Sequence, residues 1–227
     1  MLVRIPKVLS GETLARCREI VVAGPWADGR LTAGSQSEQM KNNLQLPEES
    51  AAAREGGRIV LDALAKSALF FTAALPKRIF PPLFNCYTGS TNVFGDHIDN
   101  AVRTHAASGE RVRTDIAATL FLTSPEDYDG GELIIEESFS TQSVKLAAGD
   151  LVVYPASSVH RVEPVTRGAR ISAFFWLESM VRSAEQRRLL CEFDMAVLEL
   201  RRAHGDTAAM VRLAGCYHNL LRMWAEV

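Results

Sequence analysis

Residues 142–177 read QSVKLAAGDLVVYPASSVHRVEPVTRGARISAFFWL, and this stretch decides the fold class. It contains four short β-prone runs, at 142–146, 151–154, 160–165 and 169–177, with no helical pattern between them. The segment Ala148-Gly149-Asp150 between two of these runs has the composition of a tight turn. Strands without intervening helices cannot form a parallel α/β sheet, because crossover helices must connect parallel neighbours. The stretch therefore predicts consecutive antiparallel strands.

The same pattern extends towards the N-terminus as far as Arg78. Four further strands are predicted at 82–88, 92–98, 114–123 and 132–137. Eight short strands joined by turns are typical of an antiparallel sandwich or a double-sheet jelly roll. We therefore expect a mainly β fold whose core is a double-stranded β-helix, that is, a jelly roll.

Helical patterns flank this β region on both sides. On the N-terminal side, Ser10 opens a short helix that ends near Gly24, and Ser50 opens an alanine-rich helix that extends to about Ala68. Residues 27–46 are rich in Gly, Ser, Gln and Asn, and this composition favours a loop with at most one short strand.

On the C-terminal side, apolar residues recur in steps of three and four in two series. The series are Leu190, Phe193, Val197, Leu200 and Met210, Leu213, Tyr217, Leu220, Trp224. Gly205 is predicted to end the first helix and Asp206 to cap the second. The pattern indicates an antiparallel helical hairpin, which packs on the sandwich or on its copy in a homodimer. We accordingly divide the chain into an N-terminal flank (1–77), a jelly-roll domain (78–178) and a C-terminal hairpin (179–227).

Composition excludes several classes of function. The chain has 227 residues with 25 basic and 27 acidic side chains, a net charge of −2, so no global charge attracts nucleic acid or an anionic membrane. No apolar run reaches the ~20 residues of a bilayer span, and the N-terminus does not resemble a secretory signal. We expect a cytoplasmic protein whose four singly spaced cysteines are reduced thiols.

The five histidines are informative because imidazole is the commonest metal ligand. In Gly95-Asp96-His97-Ile98-Asp99, His97 and Asp99 are two residues apart, so on a strand both side chains project to one face and can bind one ion. On its own this pattern is weak, since an exposed His and Asp at a strand end is common.

Two later residues strengthen the interpretation. His160 follows at the start of a predicted strand, and a rolled sheet can bring it to the first pair. Two imidazoles and one carboxylate form the facial triad of non-haem Fe(II) sites. Arg170 lies ten residues further on in a β-prone run, and its planar fork suits the far carboxylate of a dicarboxylate co-substrate.

With these residues in place, the sequence resembles the PKHD-type (prolyl/lysyl-hydroxylase-domain) Fe(II)/2-oxoglutarate-dependent hydroxylases of bacteria, a family that includes proteins associated with iron uptake. The matching segments are 39–43 (QMKNN), 82–87 (PLFNCY), 94–103 (FGDHIDNAVR), 128–133 (YDGGEL), 149–155 (GDLVVYP) and 217–224 (YHNLLRMW). They span nearly the whole chain, although Asp96 stands where many members have an aromatic residue.

The resemblance implies a function and a set of roles. His97, Asp99 and His160 are the expected iron ligands, and Arg170 is the expected 2-oxoglutarate-binding residue. The expected reaction hydroxylates a substrate while O2 converts 2-oxoglutarate to succinate and CO2, with L-ascorbate as reductant. The resemblance does not identify the substrate, which is a peptidyl side chain, a free amino acid or a siderophore-like small molecule.

Several residues keep two interpretations. Tyr87 either donates its hydroxyl to the far carboxylate of the co-substrate or is an ordinary core tyrosine. The loop 100–113 carries a basic cluster that either contacts an anionic substrate, as a lid, or is simply solvated: Arg103, His105, Arg111 and Arg113. Residues 31–43 are a second candidate lid. We interpret His204 and His218 as cap or packing residues.

Two other classes of function compete with a hydroxylase. A cupin-like metal-binding or regulatory module is favoured by the spacing of Gly149, Pro155 and His160, but cupins pair histidines where this chain has His97 and Asp99. A jelly roll that serves only as an assembly scaffold is the other alternative. The orientation of Arg170 separates the first alternative from a hydroxylase, because a co-substrate role requires Arg170 to face the three ligands.

Overall fold

The computed structural model describes residues 1–32, 40–137 and 140–227. Within these residues the chain forms five α-helices and sixteen strands. The helices are α1 (Gly11–Val22), α2 (Ala51–Leu64), α3 (Ala68–Ala74), α4 (Ala184–His204) and α5 (Ala208–Trp224). The strands are β1 (Val3–Ile5), β2 (Ala27–Asp28), β3 (Lys41–Asn42), β4 (Leu44–Gln45), β5 (Pro76–Ile79), β6 (Leu83–Thr88), β7 (Val93–His97), β8 (Val102–Thr104), β9 (Arg111–Arg113), β10 (Ile116–Phe121), β11 (Tyr128–Gly130), β12 (Leu133–Glu137), β13 (Ser140–Val144), β14 (Leu151–Pro155), β15 (His160–Val162) and β16 (Val165–Ser179).

The strands assemble into two main antiparallel sheets. The larger sheet has the order β1-β14-β10-β16-β6-β4-β2, and β5 and β11 also pair with β16. The smaller sheet has the order β13-β12-β15-β7-β3, and β8 and β9 form a separate hairpin. The predicted mainly β fold with helical flanks is confirmed. One predicted strand, 160–165, is divided between β15 and β16, because Pro164 lacks the N–H that a continuous ladder needs.

Alternation along β10 shows how the larger sheet separates two cores. Ile116, Ala118 and Leu120 pack with the N-terminal helices, whereas Ala117 and Phe121 pack between the two sheets. Because successive side chains on a strand point to opposite faces, one central strand supports both cores. The core between the sheets forms the walls of the cavity described below.

The N-terminal flank differs from its prediction in one respect. The helix expected from Ser50 to Ala68 ends earlier, at Leu64, and a separate helix that was not predicted, α3, begins at Ala68, where the Ser67 hydroxyl accepts a hydrogen bond from the Phe70 N–H. The glycines of α2 allow close packing on the sheet: a Cβ on Gly56 would lie 2.9 Å from the Phe84 ring. Helix α2 can therefore pack directly against β6.

The C-terminal hairpin is present with a different cap. Gly205 ends α4 with a φ of +73°, as predicted, but Thr207 and not Asp206 caps α5, since the Thr207 hydroxyl accepts from the Met210 N–H. Buried Leu190 and Tyr217 pack the hairpin against the rest of the chain. None of the helices in the described part of the chain has the length and apolar character of a membrane span.

Short strands occur in two segments that the sequence assigns to loops. Three two-residue strands, β2 to β4, lie within residues 27–46, and β4 extends the larger sheet while β3 extends the smaller one. Strands β8 and β9 form a hairpin within residues 100–113. Residues 33–39, which make up most of the candidate lid at 31–43, lie outside the described residues.

Candidate active site

Pairing of β15 with β7 brings the three predicted ligands together. His160 lies directly opposite His97 in the register, and Asp99 follows two residues after His97, just beyond the end of β7. One ligand atom from each of the three residues lies within 4.8 Å of the other two. The two imidazole centroids are 4.1 Å apart, and His160 Nε2 is 3.8 Å from an Asp99 carboxylate oxygen. One metal ion can therefore contact all three side chains.

Backbone carbonyls orient both imidazoles. His97 Nδ1 lies 2.8 Å from the Gly95 oxygen, and His160 Nδ1 lies 3.0 Å from the Ser158 oxygen. A carbonyl only accepts hydrogen bonds, so each Nδ1 carries the proton and each Nε2 keeps its lone pair. Burial, and secondarily His160, lowers the pKa of His97 to about 3, so that ring is neutral at physiological pH. Both rings are thus prepared as ligands.

The Asp99 carboxylate is buried and incompletely satisfied. Its Oδ2 has no hydrogen-bond partner within the described ranges, and burial raises the pKa of the carboxyl group. The indole N–H of Trp176 interacts with the same carboxylate and opposes that shift. A buried carboxylate oxygen without a partner is costly, and a bound cation satisfies it.

Arg170 lies on the central strand β16 and is 1% exposed. Its Nη1 donates to Ser172 Oγ at 2.9 Å, and Ser172 Oγ donates to Asn85 Oδ1 at 2.6 Å. The guanidinium carbon lies 5.3 Å from the Tyr87 ring centroid and 5.0 Å from that of Phe121. Its Nε and Nη2 make no hydrogen bond of normal geometry with the residues that the structure describes, although the Tyr128 hydroxyl lies beside the guanidinium. These two donors present an open fork to an incoming carboxylate.

Two tyrosine hydroxyls lie near this fork. Tyr87 is directly opposite Arg170 in the β6–β16 register, is 1% exposed, and lies 3.5 Å from the Asn85 side-chain nitrogen. Tyr128 is fully buried beside the guanidinium, and its hydroxyl lacks a hydrogen bond of normal geometry to any described residue. Burial raises the pKa of both hydroxyls, so each is a neutral donor. Sequence reasoning assigned no role to Tyr128, although its Asp-Gly-Gly context was part of the family motif.

A single cavity joins the metal-ligand cluster to the arginine. It is partly open to solvent, and residues of both main sheets line it. His97, Asp99 and His160 line one part and Arg170 with Tyr87 another. Arg170 therefore faces the three ligands, which is the condition that separates a co-substrate site from a cupin-like module.

The other residues singled out in the sequence have varied positions. The Arg103 guanidinium carbon lies 4.4 Å from the Trp176 ring centroid, beside the metal-ligand cluster. His105 contacts Phe80 edge-on at 6.0 Å and bonds Ser108, outside the cavity. Arg113 forms a salt bridge with Asp115 and has a structural role.

Three further side chains lie away from the site. Asp96 is exposed and forms a salt bridge with Arg161 on the outer face of β7. His204 is in the last turn of α4, and the ring of His218 contacts Tyr217 at 5.2 Å. The predicted structural roles of the two histidines agree with these positions.

The side chains fit both groups that the resemblance implies. Two imidazoles and a carboxylate with a partnerless oxygen suit Fe(II), and the buried fork of Arg170 suits a carboxylate elsewhere in the cavity. An antiparallel jelly roll with this site defines the class of non-haem Fe(II), 2-oxoglutarate-dependent oxygenases.

Comparisons with known proteins agree with this class. The profile of the 2OG-Fe(II) oxygenase superfamily matches residues 82–178, and that of the PKHD-type hydroxylase C-terminal domain matches residues 185–226. A PKHD-type hydroxylase of Polaromonas sp. (strain JS666 / ATCC BAA-500) is 54% identical, and one of Xanthomonas axonopodis pv. citri (strain 306) is 56% identical, each with all of both chains covered.

One solved structure extends the comparison to the fold. A prolyl hydroxylase from Trichoplax adhaerens, in complex with a hypoxia inducible factor oxygen degradation domain peptide fragment, superimposes with a TM-score of 0.59 at 14% identity. The match covers 83% of this chain and 86% of that one. The chain belongs to the PKHD-type hydroxylase family of 2-oxoglutarate- and Fe(II)-dependent oxygenases. It is therefore an oxidoreductase of the dioxygenase type with a jelly-roll core, and the family implies Fe(2+) and 2-oxoglutarate as its cofactor and co-substrate.

Proposed function

We propose that this chain hydroxylates a small-molecule or peptidyl substrate, with conversion of 2-oxoglutarate to succinate and CO2, at the cavity between His97 and Arg170. One observation carries the proposal. A partnerless carboxylate oxygen on Asp99 and partnerless donors on Arg170 lie at different places in one cavity, as a metal ion and a dicarboxylate together require.

Each side chain has a defined task. Fe(II) would be held by Nε2 of His97, Nε2 of His160 and Oδ2 of Asp99. When bound, the iron supplies the activation of O2 for oxidative decarboxylation and C–H hydroxylation. The protein orients the ligands and limits the access of water.

Arg170 determines how the co-substrate lies. Its two open donors bind the far carboxylate of 2-oxoglutarate in a bidentate manner, and Tyr128 and Tyr87 offer hydroxyl donors beside it. With that end held, the keto acid end extends towards the three ligands. Leu133 and Val162 form a buried, apolar part of the cavity wall.

An anaerobic titration tests the proposal. Addition of 2-oxoglutarate to the full chain with Fe(II) should produce the weak visible charge-transfer band of a chelate, and the Arg170→Lys variant should bind Fe(II) equally but need more 2-oxoglutarate. Lysine keeps the charge but loses the fork. A folded, iron-loaded protein without the band would instead favour the cupin-like module.

Finer parts of the proposal rest on the family resemblance and on composition. We infer that L-ascorbate acts as reductant, which recovery of a declining rate on its addition would support. A link to iron uptake predicts slower growth of a deletion strain under iron limitation. Location in the cytoplasm is checked by cell fractionation.

The partners are part of the same proposal. We expect no nucleic-acid or membrane partner. Binding assays at low salt check this expectation, because surface charges are screened least at low ionic strength. Self-association through the C-terminal hairpin also stays a prediction, and sedimentation velocity of the full chain tests it. Chains that sediment as monomers at micromolar concentrations would contradict it.

A further inference from the structure

A chain of hydrogen bonds connects Arg170 to Tyr87 along the wall of the cavity. Arg170 Nη1 lies 2.9 Å from Ser172 Oγ, and Ser172 Oγ lies 2.6 Å from Asn85 Oδ1. The side-chain nitrogen of Asn85 in turn lies 3.5 Å from the Tyr87 oxygen. All four side chains are buried, and Asn85, Tyr87 and Arg170 line the cavity. The chain joins two neighbouring strands, since Tyr87 is opposite Arg170 and Asn85 is opposite Ser172 in the β6–β16 register.

The chemistry of Arg170 fixes the direction of each bond in this chain. A guanidinium only donates hydrogen bonds, so Ser172 Oγ accepts from Arg170 and gives its own proton to another acceptor. That acceptor is the amide oxygen of Asn85. The Asn85 side chain therefore turns its NH2 group towards Tyr87, and an amide NH2 group only donates. Arg170 thus sets the orientation of the Asn85 amide through a single hydroxyl group.

The Tyr87 hydroxyl is the last group of the chain, and it still has a proton to donate. Its oxygen accepts from Asn85, and burial raises the pKa of Tyr87, so the hydroxyl keeps its proton at neutral pH. The Asn43 amide acts on the same hydroxyl as a donor, although without a hydrogen bond of normal geometry. A hydroxyl that faces amide donors turns its own O–H away from them. The proton of Tyr87 is therefore available to a ligand in the cavity.

We propose that Asn85 is a positioning residue that directs the Tyr87 hydroxyl towards the carboxylate bound by Arg170, so that both side chains recognise the far end of 2-oxoglutarate as one unit. The guanidinium carbon of Arg170 lies 5.3 Å from the Tyr87 ring centroid, and directly opposed side chains of paired strands can contact one group. Both ends of the chain present donors, which suits a carboxylate because it only accepts. This inference rests on the proposed function, which places that carboxylate at Arg170.

Two keto acids separate this role of Asn85 from a general role in packing. 2-Oxopentanoate has the keto acid end of 2-oxoglutarate but lacks the far carboxylate. Both acids are titrated anaerobically into the full chain loaded with Fe(II), with the charge-transfer band of the chelate as the readout. Asn85→Leu should raise the Kd of 2-oxoglutarate about three- to tenfold, the equivalent of one neutral hydrogen bond, and leave the Kd of 2-oxopentanoate unchanged. An unchanged Kd of 2-oxoglutarate, or an equal rise for both acids, would overturn the inference.

Asn85→Asp tests the direction of the last bond. A carboxylate at this position accepts the proton of Tyr87, so the hydroxyl is no longer available to the ligand. Tyr87→Phe should therefore raise the Kd of 2-oxoglutarate at least about tenfold in the wild type, but less than about twofold in the Asn85→Asp background. The direct effect of the added negative charge cancels, because both proteins of the second pair carry it. Equal effects of Tyr87→Phe in the two backgrounds, or none in the wild type, would refute the assignment.

Thr88→Val is the matched control, because Thr88 lies on the same strand but bonds the Gly168 carbonyl outside the cavity, and it should leave the Kd of both keto acids unchanged. For a variant whose band does not saturate, the rise in the free energy of urea unfolding with added 2-oxoglutarate gives the Kd. If Asn85→Asp does not fold, the contrast between the two keto acids in Asn85→Leu decides the inference. Variants of Asn85 that behave as the wild type refute the inference alone, whereas a wild type without the band refutes the proposed function.

Discussion

Replacement of Arg170 by methionine should separate ligand binding from stability. Arg170 is 1% exposed, yet only its Nη1 has a hydrogen-bond partner in the described part of the chain, Ser172 Oγ. Burial of an ion costs several kcal/mol unless it is fully paired, and methionine fills a similar volume without a charge. The Ser172 hydroxyl keeps its bond to Asn85 in the variant. We therefore expect the free energy of unfolding of the metal-free variant to lie within about 1 kcal/mol of the wild-type value, or to exceed it.

The same change should greatly weaken 2-oxoglutarate binding. Two charge-assisted hydrogen bonds are worth about 1.5–3 kcal/mol each, so their loss should raise the Kd of 2-oxoglutarate by about 10² to 10⁴. Urea unfolding of the metal-free proteins and calorimetry of 2-oxoglutarate binding to the Mn(II)-loaded proteins measure the two quantities. Arg167→Met is the control, because Arg167 is an exposed neighbour on β16 that pairs with Asp129.

Two results would refute this reasoning. One is a decrease of more than about 3 kcal/mol in the free energy of unfolding of the metal-free variant. A decrease of that size is typical of breaking a satisfied buried ion pair, and it would mean that the guanidinium already has a counter-ion in the protein. An unchanged Kd for 2-oxoglutarate would mean that the open donors of Arg170 do not bind it. In the wild type, 2-oxoglutarate at 100 times its Kd should add about 2.7 kcal/mol to the unfolding free energy, and the variant should lack this increment at the same concentration.

Three other changes have clear expected outcomes. His97→Ala should abolish Fe(II) binding and turnover, and stoichiometric iron in the dialysed variant would contradict the ligand assignment. Trp176→Phe should weaken Fe(II) binding about tenfold, because the Asp99 carboxylate loses a hydrogen-bond donor. Calorimetry measures this affinity, and an unchanged value would show that Trp176 does not support Asp99 as a ligand. Gly56→Ala should lower the free energy of unfolding in urea by about 1–3 kcal/mol, because the added Cβ would lie 2.9 Å from the Phe84 ring. Gly57→Ala should instead raise it by up to about 1 kcal/mol, because the nearest contacts of its Cβ are 3.6 Å or longer and alanine favours the helix. Equal effects of the two substitutions would disprove the packing explanation.

The clustering of the three proposed metal ligands could be predicted from sequence because their spacing is local or follows strand order. His97 and Asp99 share a face through the two-residue period, and an antiparallel partner strand can bring His160 opposite His97. The exact register could not be predicted, since it depends on where each strand begins. Arg170 was found for a different reason: it lies in a β-prone run, and a charge that is buried in such a run needs a ligand or a partner.

The side chains that sequence reasoning missed come from segments without periodicity. Residues 27–46 looked like a loop, but β3 and β4 lie within them and place Lys41 and Asn43 in the cavity. A two-residue strand has too few positions to show alternation, so only pairing with β7 and β6 defines it. Trp176 lies in a predicted strand but was assigned no role, because its contact with Asp99 depends on how the chain packs in three dimensions.

The position of β3 and β4 explains why the cavity has two polar ends. β3 pairs with β7 in the smaller sheet and β4 pairs with β6 in the larger one, so a short stretch of chain bridges the sheets beside the site. Lys41 and Asn43 alternate into the cavity from this bridge, while Arg170 enters from the central strand of the larger sheet. Because the two sets of donors come from different elements, one can be altered without displacing the other. Variants of Arg170 should therefore weaken 2-oxoglutarate binding and leave the pairing of β3 and β4 intact.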